Sequence, residues 1–293
     1  MPDPSTGELQ EALGRKPRDD EIDFFGLTHQ GKVRKSNNDH FLVASLSKRM
    51  DVWLTSLPGF GQQVLGEQRL AFIAMVADGV GGTETGEEAS RIALESVTEY
   101  NANSLQAYSS SADARDEAFR GALQEAASRG HASAVKRAKD QGDSRKRATT
   151  LTLWLGVWPW LYLLQVGDSR YYKFCEGDLQ QVTRDQTYAQ DLLDAGALSK
   201  DQAKDSPLKH VLSSALGGDQ TAPVVTRIPA DWRNIHLMCS DGLTKHVSDE
   251  RIREVLMNFT TARQACETLL QDALDDGGTD NITIVVLKAT KKL

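Results

Sequence analysis

Cysteine is scarce in this sequence of 293 residues, and the three that occur, Cys175, Cys239 and Cys266, lie far apart. No two of them form the closely spaced pair that zinc sites use, and three cysteines do not make a disulfide framework. This composition disfavours disulfide-stapled and zinc-binding classes of protein. It fits a reducing compartment, so we expect a cytoplasmic location.

Long apolar stretches and concentrated positive charge are also missing. The most apolar stretch, 151–166, is shorter than the roughly 20 residues that a membrane-spanning helix needs, and Pro159 interrupts it. We predict two buried strands there instead, and no signal peptide, because no apolar leader segment is evident. The net charge is −7, and acidic residues interrupt the most basic stretch, 136–147, so we expect no nucleic-acid or membrane partner.

The hydrophobic fraction of 40% and the charged fraction of 26% are typical of a globular protein. Residues 1–20 hold three of the eight prolines and many charges, which predicts a disordered N-terminal tail. The rest of the chain, 21–293, shows no second linker and no internal repeat. We therefore predict one folded domain over 21–293.

Apolar runs that end at Gly, Asp or Pro predict strands at 24–28, 40–46, 70–77, 150–157, 161–166, 171–175, 224–228, 235–239 and 282–287. Two long amphipathic helices are predicted between the third and fourth of these strands. The first begins near Thr85, with Glu88 closing a capping box, and the second covers 112–139. Shorter helices are predicted at 188–195, 249–258 and 261–275.

Many strands combined with paired helices predict an α+β fold in which helices are layered on mostly antiparallel sheets. The segment 50–69 is longer than a compact hairpin requires. We expect a surface loop that packs on its own side chains, and docking of a partner is the alternative. The six histidines show no metal-ligand spacing, and a structural role is expected for each of them.

Aspartates stand where apolar strands begin or end. Asp39 precedes the second predicted strand, whereas Asp78, Asp168 and Asp241 follow others, and Asp280 precedes the last. A single Asp-Gly pair is usually a turn, but five acids at the edges of buried strands must face water, a cation or one another. Oxygen ligands without Cys or His partners select hard ions such as Mg²⁺ or Mn²⁺.

The sequence resembles the protein phosphatase type 2C family, the metal-dependent (PPM) phosphatases, in its bacterial branch. The resemblance covers about residue 23 to the C-terminus and consists of motifs in the family order. They are GKVRKSNND at 31–39, ADGVGG at 77–82 with GEEAS at 86–90, ATTL at 148–151, VGDSR at 166–170, SDGL at 240–243 and GTDN at 278–281. Each motif alone is weak, but six in this order are specific.

The resemblance implies a four-layer α-β-β-α sandwich with two or three Mg²⁺ or Mn²⁺ ions in a cleft at one end of the sheets. It implies that Asp78 bridges two ions and that the Gly79 carbonyl binds the second of them. It implies that Asp241 and Asp280 bind the first ion and that Asp39 acts through a metal-bound water molecule. It further implies that Asp168, with Asp241, binds a third ion, and that Arg34 is a clamp on the substrate phosphate. Arg34 suits that role because its fork of donors fits a phosphate.

The chain departs from the family pattern at a few positions. Asn38 replaces an acid, Val80 and Thr83 stand where family members carry His, and Gln186 replaces another frequent His. The segment 183–218 is expected to form a flap beside the cleft, with Asp185, Asp191 and Asp194 as surface charges.

The function that the resemblance implies is hydrolysis of phosphoserine and phosphothreonine by metal-activated water. The expected partners are phosphorylated proteins, in opposition to a Ser/Thr kinase. The alternative is a catalytically weak pseudophosphatase that serves as a binding module, which the replaced residues motivate. Another two-metal phosphoester hydrolase, such as a nuclease, is disfavoured by the acidic surface and the motif order.

Overall fold

The computed structural model describes residues 11–47, 50–56, 69–80, 83–103, 112–140 and 147–292. The strands in these ranges are β1 Ile22–His29, β2 Asp39–Leu46, β3 Met50–Thr55, β4 Ala71–Val80, β5 Ala148–Thr149, β6 Leu151–Val157, β7 Trp160–Val166, β8 Arg170–Cys175, β9 Asp178–Gln181, β10 Val224–Pro229, β11 Ile235–Cys239 and β12 Ile282–Ala289. The α-helices are α1 Thr83–Asn103, α2 Ala112–Asp140, α3 Tyr188–Asp194, α4 Lys200–Asp205, α5 Asp241–Thr244, α6 Asp249–Asn258 and α7 Ala262–Asp275.

The strands form two sheets. One has five strands in the order β1-β12-β11-β8-β9, and the other has seven, in the order β10-β7-β6-β4-β2-β3 with β5 paired to β4. The pairing is antiparallel between all of these neighbouring strands. Antiparallel neighbours joined by short turns explain why strands that follow one another in sequence, such as β6 and β7, also lie side by side.

The two sheets face each other, and each is covered on its outer face by helices. Helices α1 and α2 pack on the seven-stranded sheet, and α7 packs on the five-stranded sheet with α6 beside it. In β2, Leu42 and Ala44 face the helices, while Phe41 and Val43 face the other sheet. Because both faces are covered, such strands are apolar over most of their length, in agreement with the continuous apolar runs in the sequence. The predicted α+β, four-layer α-β-β-α sandwich is therefore confirmed.

The predicted segments match the structure closely, with two corrections. All nine predicted strands and all five predicted helices are present, within three residues at either end. Helix α1 begins at Thr83, directly after a pair of glycines, so the buried Thr85 lies inside the helix and does not cap it. The predicted loop 50–69 is wrong for Met50–Thr55, which form an edge strand on β2, and its segment 57–68 lies outside the described residues.

The N-terminal tail is a further correction. Residues 14–20 lie against the folded domain, where the indole of Trp158 donates a 3.2 Å hydrogen bond to the carbonyl of Gly14. Arg15 donates two hydrogen bonds, of 2.6 and 2.5 Å, to the buried carboxylate of Glu21. Prolines and charges suggested disorder by composition, but these charges have specific partners. The predicted disorder is wrong for residues 14–20, and residues 1–10 lie outside the described part of the chain.

The apolar stretch that raised the question of a membrane forms strands β6 and β7, as predicted. Among the described residues, no helix is both long enough and apolar enough to span a bilayer.

His236 is a buried titratable group between the two sheets. Its Nδ1 lies 2.8 Å from the hydroxyl of Tyr171, and its ring packs against that of Trp154 with centroids 5.1 Å apart. Burial, aided by the positive charge of Lys173, lowers the pKa of His236 to about 3. The imidazole is therefore neutral in the folded state at every pH at which the protein is expected to be folded.

We expect His236 to make the protein sensitive to mild acid. In the unfolded chain its pKa is about 6.5, so below that pH the side chain is protonated in the unfolded state and stays neutral in the folded state. Between pH 7 and pH 5 this difference should remove about 2 kcal/mol of unfolding free energy. Urea denaturation at both pH values should show a loss in His236→Phe that is smaller by about 2 kcal/mol than the loss in the unaltered protein, because His40, Asp39 and other shifted groups contribute to both proteins. Equal losses in the two proteins would contradict the assignment.

Candidate metal centre and catalytic cleft

The five predicted aspartates come together at one end of the two sheets. Asp39 and Asp78 are direct partners in the antiparallel register of β2 and β4. Asp168 follows β7, Asp241 is the first residue of α5 after β11, and Asp280 lies two residues before β12. Like charges directly opposite each other destabilise a sheet, so this end of the fold requires a compensating positive charge.

Asp39 lies beneath the cleft, and one of its two carboxylate oxygens is fully engaged. The hydroxyls of Ser240 and Thr283 both donate to Oδ2, over 2.7 and 2.8 Å. The other oxygen, Oδ1, is buried and has no hydrogen-bond partner among the described residues, and the same holds for Oδ1 of Asp241. Burial raises the pKa of Asp39 to about 6, against the effect of the two hydroxyls. Orphaned buried oxygens of this kind are what a bound cation satisfies.

Asp78 is positioned through its backbone by the two threonines of the ATTL motif. Thr149 and Thr150 donate to its carbonyl over 2.9 Å each, through a hydroxyl and a backbone amide, and its amide donates to the Thr150 hydroxyl over 3.0 Å. At Gly79 a side chain would collide with the Gly86 carbonyl, since a Cβ atom would stand 2.1 Å from it. Burial and the neighbouring carboxylates raise the pKa of Asp78 well above its ordinary value.

Asp168 stands on a tight turn that only glycine allows. Gly167 has a φ of +98°, and a Cβ there would lie 2.6 Å from the methyl group of Thr150. The Gly167 amide donates a 2.7 Å hydrogen bond to the side chain of Gln186. Gln186, which replaces a frequent His of the family, therefore has a structural role at this turn. Burial, followed by the charge of nearby carboxylates, raises the pKa of Asp168 well above its ordinary value.

Two positively charged side chains form ion pairs with the outer carboxylates. The ammonium of Lys245 lies 2.6 Å from Asp241 and 2.6 Å from Asp280, between the two. Arg34 grips Asp280 with both arms of its fork, over 2.7 and 2.8 Å. Burial acts against the charge on Asp280, but these hydrogen bonds outweigh it and hold its pKa below the ordinary value. Sequence reasoning missed Lys245, although its position four residues after Asp241 places both on one face of a helical turn.

Asn281 is a second residue that sequence reasoning missed as a functional element. Its amide group donates to the carbonyls of Gln30 and Ser36 over 2.9 and 2.8 Å, and its oxygen accepts from the amide of Asn38 over 2.9 Å. It thereby fixes both ends of the loop that carries Arg34. The GTDN motif thus connects the last strand to the predicted phosphate clamp.

The aspartates line a cleft of about 630 Å³. Six of the seven predicted site residues line it, namely Arg34, Asp78, Gly79, Asp168, Asp241 and Asp280, whereas Asp39 lies below. The predicted flap forms the facing wall, with Tyr188, residues 210–215 and Gly218. The structure therefore brings the predicted residues together, and their individual metal and phosphate roles stay predictions.

The acids of the flap lie in ion pairs. Arg170 of the VGDSR motif binds Asp185 with its fork at 2.7 to 3.1 Å. Arg184 binds the exposed carboxylates of Asp191 and Asp194. None of these acids lines the cleft, and Asp191 and Asp194 are exposed, as expected of surface charges, whereas Asp185 is half-buried.

The histidines divide into two groups. Five have hydrogen-bond partners that fix the surrounding structure, and these are His29, His40, His131, His236 and His246. His210 lines the cleft and makes no hydrogen bond with any other described residue. Five histidines therefore fit the expected structural role, whereas His210 lies at the cleft and makes no such contact. No motif in the sequence could have revealed it, since it is 30 residues or more from every predicted metal ligand.

The donor chemistry of the centre fits hard divalent cations. All side-chain ligands offered are carboxylates, two buried oxygens lack partners, and His and Cys are absent from the group of described ligands. Within the described residues no three acidic, His or Cys side chains stand close enough together to enclose an ion as they are now placed. Lys245 and Arg34 supply positive charge to Asp241 and Asp280 in this arrangement.

We expect Lys245→Met to lower the stability of the metal-free protein and to raise its affinity for metal ions. In EDTA, loss of the two charged hydrogen bonds should lower the unfolding free energy by roughly 2–3 kcal/mol. Removing the competing ammonium should also tighten Mn²⁺ binding in calorimetric titration. Lys209→Met, which removes an exposed lysine from the same region, is the matched control. Unchanged stability in EDTA together with unchanged Mn²⁺ affinity would show that the ammonium does not hold these carboxylates.

Comparison with known proteins agrees with this geometry. The family model described as protein phosphatase 2C matches residues 61–276. A serine/threonine protein phosphatase, PstP, of Mycobacterium tuberculosis is 32% identical over 216 residues, which are 74% of this chain and 40% of that protein. A serine/threonine phosphatase, stp, of Listeria monocytogenes is 30% identical over 217 residues, which are 74% of this chain and 84% of that protein.

A solved structure shows the same architecture. The catalytic domain of PstP in complex with two manganese ions superposes with a TM-score of 0.70 at 27% identity, over 92% of this chain and 99% of that one. The match to the whole mycobacterial protein covers only 40% of its length, so that protein extends well beyond the region shared with this chain. The matched motifs, the shared fold and the family model together establish that this chain belongs to the protein phosphatase 2C family.

Proposed function

We propose that this chain is a metal-dependent serine/threonine protein phosphatase that hydrolyses phosphoserine and phosphothreonine in proteins. The observation that carries the proposal is the convergence of five aspartates, two with orphaned buried oxygens, at a cleft that also contains Arg34. The relatives' names support the same activity, since they are called serine/threonine phosphatases.

The aspartates supply the ligands for two or three Mg²⁺ or Mn²⁺ ions. Asp78, Asp241 and Asp280, with the Gly79 carbonyl, hold the first two, and Asp168 with Asp241 holds a third. When bound, such ions activate a water molecule and neutralise phosphoryl oxygens. Asp39 has one oxygen anchored by hydroxyls and the other free, which suits it to orient a water molecule.

Arg34 binds the substrate phosphate. Its side chain is 54% exposed, and its fork of donors already binds one carboxylate, a group of similar geometry to two phosphoryl oxygens. Transfer of the fork from Asp280 to the phosphate frees Asp280 as a ligand. Substrate binding and completion of the metal site are thereby linked through one side chain.

The proposed partners are phosphorylated proteins, in opposition to a Ser/Thr kinase. A cleft wall built by the flap, open to solvent at Tyr188 and Val211, is suited to residues on either side of the phosphate. The proposed location is the cytoplasm, which the free thiols of the three cysteines support.

A pseudophosphatase that binds phosphoproteins without turnover is the second candidate. It is favoured by the ion pairs of Lys245, which neutralise two of the carboxylates without a metal ion. The two candidates differ in a single measurement, the release of phosphate.

We expect purified protein to release phosphate from a phosphothreonine peptide with Mn²⁺ and to lose this activity in EDTA. Asp78→Asn should lower kcat by about 100-fold or more, because an amide oxygen carries no charge to bridge two cations. Asp191→Asn, at an exposed ion-paired acid, is the control and should keep the activity of the unaltered protein. Folded protein without turnover in any divalent ion would favour the pseudophosphatase, and activity resistant to EDTA would refute the metal mechanism.

We expect Arg34→Ala to raise KM for the phosphopeptide about tenfold or more, since a charged bidentate contact is lost. Arg34→Lys should recover only part of this loss, because an ammonium cannot present two parallel donors. Steady-state kinetics at saturating Mn²⁺ measures the effect, with Arg184→Ala as the control for removal of an exposed arginine. An unchanged KM in Arg34→Ala would argue against the clamp.

A further inference from the structure

His210 is the one histidine, of the six in the sequence, that lines the cleft. It is the last residue of the short 3₁₀ helix Pro207–His210, on the flap wall that faces the aspartates. Its side chain is exposed and makes no hydrogen bond within the described ranges, in contrast to the five other histidines. An exposed ring without a hydrogen-bond partner among the described residues is available for a bound substrate.

The backbone around His210 is anchored at several points. Val211 accepts a 2.9 Å hydrogen bond from the amide of Tyr188, and the amide of Ser213 donates over 2.9 Å to Gln186. Gln186 in turn accepts from the Gly167 amide beside Asp168, over 2.7 Å. The segment that carries His210 is therefore tied to the same turn that carries a predicted metal ligand.

The ring experiences the charges of the centre. Partial burial and the ammonium groups of Lys245 and Lys209 hold the pKa of His210 below its ordinary value, and Asp241 and Asp280 act in the opposite sense. Arg34, Asp78, Asp168 and Tyr188 are the other charged or titratable groups that line this cleft with it, apart from Asp219 on the same wall. A phosphate dianion bound between them would add negative charge next to the imidazole and favour its protonated form.

Hydrolysis of a serine or threonine phosphate has a chemical requirement that the aspartates do not meet. The departing oxygen leaves as an alkoxide, a strong base, unless a proton reaches it as the bond to phosphorus breaks. Lys245 is a poor donor because the carboxylates around it outweigh its burial and raise its pKa. Among the described residues that line the cleft, His210 is the side chain whose ordinary pKa lies near neutrality.

On the basis of this placement, and of the proposed phosphatase function on which it rests, we propose that His210 is the general acid that protonates the serine or threonine oxygen of the substrate. The oxygen of water forms a bond to phosphorus, and the bond from phosphorus to the side-chain oxygen breaks, leaving its electron pair on that oxygen. The imidazolium N–H donates its proton there, so the products are the free hydroxyl and inorganic phosphate. The proton released by the attacking water restores the imidazolium through solvent.

The test compares two leaving groups in His210→Gln. A phosphothreonine peptide needs the proton, whereas 4-nitrophenyl phosphate releases a weakly basic nitrophenolate that does not. We expect kcat for the peptide to fall about 100-fold or more, and kcat for the nitrophenyl ester to change less than about threefold. Lys204→Gln, at an exposed lysine of helix α4, is the control and should leave the ratio of the two activities unaltered.

A second variant tests the chemistry of the ring directly. In His210→Ala, added imidazole should restore part of the peptide activity, and N-methylated pyrrole, which has the shape without a titratable nitrogen, should not. Mn²⁺ affinity measured by calorimetry should match that of the unaltered protein, which separates proton donation from assembly of the metal site.

The outcomes are distinguishable. Retention of both activities in His210→Gln, or an equal fall in both, would overturn the proposal while the phosphatase function stands. Absence of both activities in the unaltered protein would overturn the phosphatase function, and the proposal with it. A selective loss of the peptide activity, with rescue by imidazole, supports the assignment.

Discussion

Mutual repulsion among buried carboxylates is the constraint on which the rest of this structure depends. Asp39 and Asp78 are direct neighbours in a sheet; Asp39 and Asp168 are buried, and Asp78 is half-buried at the cleft. Burial alone penalises each negative charge, and proximity adds to that penalty, so the arrangement is stable only with protons or cations nearby. Lys245 and Arg34 supply part of that charge from the outer side of the cluster.

The fold explains how residues so far apart in sequence reach one place. Strands β2 and β4 are adjacent in the seven-stranded sheet, while β11 and β12 are adjacent in the five-stranded sheet that faces it. The acids stand at the ends of these strands, where the apolar core gives way to solvent. Hydroxyls then cross from one sheet to the other, since Ser240 and Thr283 of the five-stranded side hold Asp39 of the seven-stranded side. The aspartate cluster thus lies at the junction of the two sheets.

Much of this could be predicted from the sequence because strand cores and strand-end aspartates are local signals. Continuous apolar runs marked strands covered on both faces, and each aspartate lay within two residues of such a run. Edge strands with polar residues, such as β3 and β9, carry no comparable signal, because they are paired on one side only. The tail 14–20 was misjudged for a related reason, since its order comes from partners such as Trp158 that are distant in sequence.

The residues that sequence reasoning missed in the site act through tertiary contacts. Lys245 matters because Asp280 approaches it from another strand, and Asn281 because three separate backbone groups of the loop 30–38 meet it. His210 lies on a flap of short helical segments without a motif, and only the folded chain brings it to the aspartates. The motifs therefore predicted which carboxylates meet at the cleft, and they did not predict the groups that alter the charge around them.

The two sides of the cleft differ in their chemistry, as a consequence of this geometry. The floor, made by strand ends, is rigid and negatively charged, and it suits cations and the phosphoryl group. The opposite wall, made by the flap, carries the neutral or cationic ring of His210 and the exposed Tyr188, where the side-chain oxygen and the flanking peptide of a substrate would lie. Because the flap is anchored to the Gly167 turn through Gln186, a change in the flap sequence can alter the leaving-group side of the reaction without disturbing the carboxylates. Val80, one of the positions where family members carry His, lines the same cleft. If His210 donates the proton, as proposed above, catalysis does not depend on a histidine at that position.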